Sequence, residues 1–113
     1  MAYERYKTMY NDLNDEIVLG NNTISPCEIE DLLCEVPGVS DAMVCIKKNS
    51  GSLLCKVIAQ EGADCEKILI EGNRLLPKEP KAAIFFAAFL PQSSADKKKY
   101  RRSFYDSDWD QAL

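Results

Sequence analysis

The sequence predicts an α+β domain: a small, mostly antiparallel sheet with an N-terminal β-hairpin and two helices packed on it. Three observations lead to this class. Short apolar segments rich in strand-forming residues alternate with two amphipathic segments. Each amphipathic segment begins at a helix-capping residue, and turn-forming residues separate neighbouring strands. The resulting order, ββ-α-ββ-α-β, places two helices against one sheet.

Length and composition allow one small folded unit. The chain has 113 residues, of which 46% are hydrophobic and 28% charged, and its formal net charge is −4. This is an ordinary balance for a folded domain. We expect one small domain or part of a larger one, and the length argues against a complete multi-substrate enzyme, because most such enzymes need more than one domain to surround their substrates.

The predicted domain runs from residue 15 to residue 105. Residues 1–14 are polar and aromatic, and we interpret them as a linker or hinge segment. Residues 17–19 then predict a short strand, residues 20–22 a turn, and residues 23–24 the start of a returning strand. Residues 106–113 are predicted to be an acidic tail.

The first helix has the clearest local signal. Ser25 is placed as its N-cap, Pro26 at its first position and Glu28 to close a capping box. The apolar residues that follow have the spacing of one buried helix face: Ile29, Leu32, Leu33 and Val36. Pro37 and Gly38 end the helix.

The second half of the sequence predicts two more strands, a second helix and a last strand. Residues 39–48 and 53–60 predict an antiparallel hairpin, because a polar turn separates them. Asp64 can cap a second helix, which Gly72 weakens by roughly 1 kcal/mol relative to alanine. Residues 77–80 break the chain, and residues 82–90 predict a last, strongly apolar strand.

Several function classes are not expected. The longest apolar segment has nine residues, whereas a membrane span needs roughly 20, and the first residues lack a signal-peptide pattern, so we expect a soluble cytoplasmic protein. The five cysteines form no C-x-x-C pair and the chain has no histidine. We therefore expect no metal site and no histidine-assisted hydrolase.

The order of these elements resembles the C-terminal domain of AMP-forming adenylating enzymes, which include acyl-CoA synthetases, luciferases and nonribosomal peptide adenylation domains. The matching motifs are Asp15-Glu16-Ile17, Gly20 with Ile24-Ser25-Pro26-Cys27-Glu28-Ile29-Glu30, Pro37-Gly38-Val39-Ser40-Asp41-Ala42, Leu76-Pro77 with Pro80, and Leu90-Pro91 followed by a Ser-rich gap and Lys-x-x-Arg. The resemblance covers about residues 11–103.

The resemblance implies a lid that rotates between two half-reactions. A lysine near its C-terminus bridges the carboxylate substrate and the ATP phosphates while an acyl adenylate forms. The lid then turns about a hinge, and its first hairpin helps to admit the thiol of coenzyme A or of a phosphopantetheine carrier. The implied cofactors are thus ATP with Mg²⁺ and one of these thiols. They are used only together with a large N-terminal domain, in cis or in trans, and this chain alone is expected to bind none of them.

The implied site residues follow from matching positions. Lys99 occupies the lysine position of the final motif, and a tighter spacing from Pro91 selects Lys97 instead. Asn14 and Asp15 fall at the hinge, and Gly20 and Asn21 fall in the hairpin of the thioester step. The family has a glycine before this lysine and an arginine just before the hinge. This sequence has neither residue at the matching positions.

Two other functions remain open. The chain could be a degenerate, non-catalytic lid-like module that binds a carrier protein or an adenylating partner. Residues 97–102 could also bind nucleic acid, but this footprint is short and the rest of the chain is acidic.

Overall fold

The computed structural model describes residues 8–11, 13–19, 22–47, 52–78 and 81–106. These residues form an α+β fold, as the sequence predicts. The strands are β1 (Thr8–Asn11), β2 (Glu16–Leu19), β3 (Asn22–Ile24), β4 (Val39–Ile46), β5 (Leu53–Ala59) and β6 (Ala82–Phe86). The helices are α1 (Pro26–Cys34), α2 (Cys65–Leu75) and α3 (Ser94–Asp106).

The first sheet contains the predicted hairpin and one additional strand. Its strand order is β1-β2-β3, and both pairings are antiparallel. β1 lies within the segment that we expected to be a linker. Tyr10 pairs with Ile17 in this sheet, and both side chains are buried. Tyr10 is therefore a core residue and not part of a linker.

The second sheet has the order β4-β5-β6 and is mixed. β4 and β5 pair antiparallel, as predicted, whereas β5 and β6 are parallel. β6 is shorter than the predicted strand and ends at Phe86, although the N–H of Ala87 still donates to the carbonyl of Val57. One apolar face of the sheet packs against α1 and supplies most of the core.

Capping residues start the first two helices where the sequence places them. The Oγ of Ser25 accepts the N–H of Glu28 at 3.4 Å, and Pro26 occupies the first turn of α1. The Oδ1 of Asp64 accepts the N–H groups of Glu66 and Lys67 at the start of α2. These bonds satisfy backbone donors that have no partner inside the helix.

The expectation of two helices misses α3. Ser93 starts this helix because its Oγ accepts the N–H of Asp96 at 3.0 Å. α3 contains the whole basic segment, residues 97–102, and packs against β4. None of the helices in the described residues has the length and hydrophobicity needed to cross a bilayer.

Candidate functional site

α3 separates the basic side chains onto different faces. Lys97 and Arg101 are one helical turn apart and both turn toward the domain, whereas Lys99 is exposed. Lys98 is half-buried. The basic segment therefore has an inner face that packs on the domain and an outer face that can meet an external ligand.

Lys97 is held by the domain itself. Its Nζ donates to Oδ1 of Asp41 at 2.9 Å and to the carbonyl of Ala42 at 3.2 Å, and its side chain is 16% exposed. The carbonyl of Ala42 lies on the edge of β4 that no strand pairs in the described residues. Lys97 therefore gives a hydrogen-bond donor to a carbonyl on this strand edge. It must leave these partners before it can bind a substrate.

Lys99 has no such restraint. Its side chain forms no hydrogen bond or ion pair with any residue of the described segments, and the side chain is exposed. Of the two predicted lysines, Lys99 is thus the one whose charge faces solvent.

Arg101 is the centre of a buried ion-pair cluster. Its side chain is 1% exposed, its Nε donates to Oδ1 of Asp15 at 2.8 Å, and its Nη2 pairs with Oδ2 of the same carboxylate. Its Nη1 donates to Oε2 of Glu30 at 2.6 Å. Oε2 of Glu30 also accepts the N–H of Val44 at 2.9 Å. We call Arg101, Asp15 and Glu30 the arginine cluster, and it joins α3, α1, β4 and the turn between β1 and β2.

Asp15, a predicted hinge residue, is an anchored carboxylate. Its backbone has a positive φ of 50°, a conformation that costs energy for a residue with a Cβ. Its Oδ1 accepts the hydroxyl of Tyr10 at 2.6 Å in addition to the Arg101 guanidinium. The neighbouring predicted hinge residue, Asn14, is exposed in the same turn. The structure therefore brings Asp15 and the lysine-bearing helix together through Arg101.

Burial and charge shift the pKa values within the arginine cluster in different directions. Burial alone would raise the pKa of Asp15, but hydrogen bonds from Arg101 and Tyr10 outweigh it and hold this pKa below its usual value. Burial raises the pKa of Glu30, and the Val44 N–H and the Arg101 charge offset only part of this effect. Burial would lower the pKa of Arg101, yet its bonds to Asp15 and the charge of Glu30 raise it, so Arg101 stays protonated.

Only a small part of the basic segment remains available to an outside anion. Lys97 pairs with Asp41, Arg101 pairs with Asp15 and Glu30, and Arg102 pairs with Asp106 at 3.0 Å. Lys98 and Lys99 form no ion pair with the described residues. This small footprint weakens the case for nucleic-acid binding, which depends on many phosphate contacts.

Two further predictions from the sequence concern the hairpin turn and metal binding. Gly20 and Asn21, predicted for the thioester step, lie outside the described residues, although β2 and β3 on either side of them pair in register. In the described part of the chain, no three Cys, Asp or Glu side chains gather as metal ligands. All five cysteines are free thiols, and burial raises the pKa values of Cys45 and Cys55 to about 12.

Sequence reasoning named neither Glu30 nor Arg101 as a site residue. A signal for Glu30 was present, because it lies beside Ile29 and three residues before Leu33 on the buried face of α1. A charged residue on an apolar helix face predicts a buried partner. The partner itself is 71 residues away, so local patterns do not identify it.

Several solved structures contain a part with this fold. MatB from Rhodopseudomonas palustris matches with a TM-score of 0.58 at 24% sequence identity, over 81% of this chain and 20% of that chain. A fatty acyl CoA synthetase from Mycobacterium tuberculosis matches with a TM-score of 0.56 at 24% identity, over 82% of this chain and 20% of that chain. The anthranilate CoA ligase AuaEII, solved in complex with anthranoyl-AMP, gives a TM-score of 0.63 at 19% identity, over 89% of this chain and 20% of that chain.

Comparison by sequence finds no relatives of this chain. No protein-family model matches the chain, and no curated protein sequence matches it. The chain spans about one fifth of the length of the solved structures that it resembles. These likenesses confirm the fold that the resemblance implies: the described residues have the fold of the small domain of AMP-forming ligases.

Proposed function

We propose that the chain is the C-terminal lid domain of an AMP-forming acyl or aminoacyl adenylating ligase. It works with a large N-terminal domain, in cis or in trans, which binds ATP with Mg²⁺ and the carboxylate substrate. An acyl adenylate forms first, and a thioester with coenzyme A or with a phosphopantetheine carrier protein forms second. The isolated chain is not expected to complete this reaction.

The observation that carries the proposal is the position of Lys99. It lies exposed on α3, a helix that Arg101 ties to Asp15 in the predicted hinge turn. A lysine on a helix fixed to the hinge moves with the lid, as a residue that enters and leaves the site of a large domain must. The likeness to about a fifth of a fatty acyl CoA synthetase and of an anthranilate CoA ligase supports the same role.

We assign the functional roles as follows. Lys99 supplies a positive charge to the phosphate and the attacking carboxylate oxygen during adenylate formation. Asn14 and Asp15 are assigned to the hinge, and Gly20 and Asn21 are assigned to the thioester step. Lys97 is the alternative catalytic lysine, and it has to exchange Asp41 for the substrate.

The test is ATP–pyrophosphate exchange by a large adenylating chain that is recovered with the tagged domain from native lysate. We expect Lys99→Ala to slow exchange by about 100-fold, because it removes charge stabilisation from the transition state. Lys67→Ala, at an exposed position of α2, is the matched control and should leave the rate unchanged.

Lys97→Ala separates a structural from a catalytic role. Loss of its bonds to Asp41 and Ala42 should lower the free energy of unfolding by about 1 kcal/mol, whereas Lys99→Ala should not change it. If Lys97→Ala slows exchange and Lys99→Ala does not, the catalytic role belongs to Lys97. If neither substitution slows exchange, the chain does not supply a catalytic lysine.

The second candidate is a lid-like module that binds a carrier protein or an adenylating partner without catalysis. The bond from Lys97 to Asp41 favours it, because this lysine is already occupied by the domain. Recovery of a carrier protein, or of an adenylating enzyme that already has a lid, together with unchanged exchange rates in both lysine variants, is the result expected for this module.

A further inference from the structure

A groove of about 470 Å³ lies on the face of the second sheet that carries Met43, opposite the face that packs against α1. Its apolar walls come from β4, from α3 and from the chain that follows β6: Met43, Ala87, Phe89, Leu90, Pro91 and Tyr100. Among the described residues that line it, Lys56 on β5 is the one that is charged. The groove thus combines an apolar surface with a positive charge, which is typical of a binding site.

Aromatic side chains are unusually exposed around this groove. Phe89 is 83% exposed, and Tyr100 is also exposed on the facing side of α3. Phe85, the register partner of Lys56 on β6, extends the same sheet face and is half exposed. A cluster of exposed aromatic residues marks a contact surface for another protein, because such residues are enriched in the cores of interfaces.

Lys56 indicates the charge of the occupant. Its Nζ donates to the hydroxyl of Tyr100 at 2.7 Å and lies 4.8 Å from the centre of that ring and 5.8 Å from the ring of Phe104. No carboxylate of the described residues forms an ion pair with it. A half-buried ammonium group that lies over aromatic rings and has no carboxylate partner among the described residues favours a ligand that brings its own negative charge.

We propose that this groove binds an acidic segment of a partner protein that has an apolar anchor residue. The anchor packs between Phe89 and Tyr100, and a carboxylate of the same segment pairs with Lys56. The inference goes beyond the proposed lid function and does not depend on it, because neither the candidate lysines nor the predicted hinge residues line the groove.

Three labelled synthetic peptides of equal length test the proposal by fluorescence anisotropy with the full chain. They share the same leucine and phenylalanine positions and differ only at the polar positions, which are Asp and Glu, their amides, or lysine. We expect the acidic peptide to bind at least about fivefold more tightly than the amide peptide. Phe89→Ala should weaken its binding by at least about fivefold, because the anchor loses its contact.

Charge selection should depend on one lysine. Lys56→Gln should make the acidic and amide peptides bind equally, whereas Lys67→Gln on the exposed face of α2 should preserve the difference. Ile70→Ala, which shortens another exposed apolar side chain on α2, should leave binding unchanged. Equal binding of all three peptides, or binding that Phe89→Ala does not weaken, would overturn the proposal.

Sedimentation velocity addresses the competing occupant, a second copy of the chain. We expect the chain and its Phe89→Ala variant to sediment as the same species. A dimer that Phe89→Ala dissociates would assign the groove to self-association and would contradict the acidic partner.

Discussion

At the scale of single residues, the arginine cluster is the most consequential arrangement in the molecule. Arg101 is almost fully buried, and a buried charge is costly unless oppositely charged groups and hydrogen bonds satisfy it. Asp15 and Glu30 supply three contacts to its guanidinium group. Removing one carboxylate therefore leaves a buried cation only partly compensated. This lowers the free energy of unfolding more than the loss of an exposed ion pair does.

Asp15→Asn is the first test of this arrangement. We expect it to lower the free energy of unfolding at pH 7 by about 2 kcal/mol, because Arg101 and Tyr10 lose a charged acceptor. The folded-state pKa of Asp15 is lowered, so its stabilisation is fully present above the unfolded-state pKa and is lost as the pH falls through the folded-state pKa. Urea unfolding at several pH values measures this difference.

The control for that measurement is Asp31→Asn, at an exposed position of α1. It should leave stability within a few tenths of a kcal/mol of the wild type at every pH. A gap between the wild type and Asp15→Asn that stays constant down to low pH would show that the charge of Asp15 is not what stabilises the fold.

At the scale of elements, the contact between α2 and β6 explains a feature that weakens the helix. Gly72 is buried in α2, and a Cβ at this position would lie 2.6 Å from Cδ1 of Ile84 on β6. Glycine lowers helix stability by roughly 1 kcal/mol relative to alanine. Its presence here allows the close approach of the helix to the strand.

Gly72→Ala tests that explanation in two backgrounds. In the wild type, the gain in helix propensity and the contact with Ile84 oppose each other, so we expect little stabilisation. In an Ile84→Val background, which removes Cδ1, Gly72→Ala should stabilise by about 1 kcal/mol. Thermal unfolding of the four proteins gives the coupling, and equal effects in both backgrounds would show that the close approach is unimportant.

The elements that could be predicted are those whose sequence signals lie within a few neighbouring residues. The caps at Ser25 and Asp64 and the apolar spacing of α1 are encoded within a few residues, and the structure confirms both helices. β1 and α3 were missed because tertiary contacts select them. Tyr10 becomes a core residue only when β1 pairs with β2, and the basic segment becomes a packed helix only when Lys97 and Arg101 meet distant carboxylates.

For the candidate site, the sequence predicts positions but not their surroundings. The motif predicts Lys99, with Lys97 as the alternative, and the fold shows that Lys97 faces Asp41 whereas Lys99 faces outward. Asp15 was predicted from its place beside the hinge, whereas its bond to Arg101 spans 86 residues and has no local signal.

At the scale of the whole molecule, α3 fastens the two sheets to each other. It packs on β4 of the second sheet, and Arg102 donates to the carbonyl of Tyr10 in the first sheet at 3.0 Å. The arginine cluster adds a second attachment, from the same helix to the turn between β1 and β2. The turn that is predicted as the hinge and the lysine-bearing helix are thus expected to move together.

Arg101→Met should uncouple these parts, because it leaves Asp15 and Glu30 buried without their cation, at a cost of about 3 kcal/mol or more. Hydrogen–deuterium exchange should increase in β1, β2 and α3, while the amides of β5 stay protected. Arg101→Lys keeps one positive charge and should give a smaller increase in the same segments. An increase spread evenly over all strands would contradict a specific coupling.

The central claim is that this domain completes an adenylating enzyme, and ATP–pyrophosphate exchange by the recovered large chain tests it most directly. The measurement compares that chain alone, with this domain added, and with its Lys99→Ala variant added. The account predicts that exchange rises when the domain is added and that the variant fails to raise it. Exchange that is equally fast without the domain would contradict the claim.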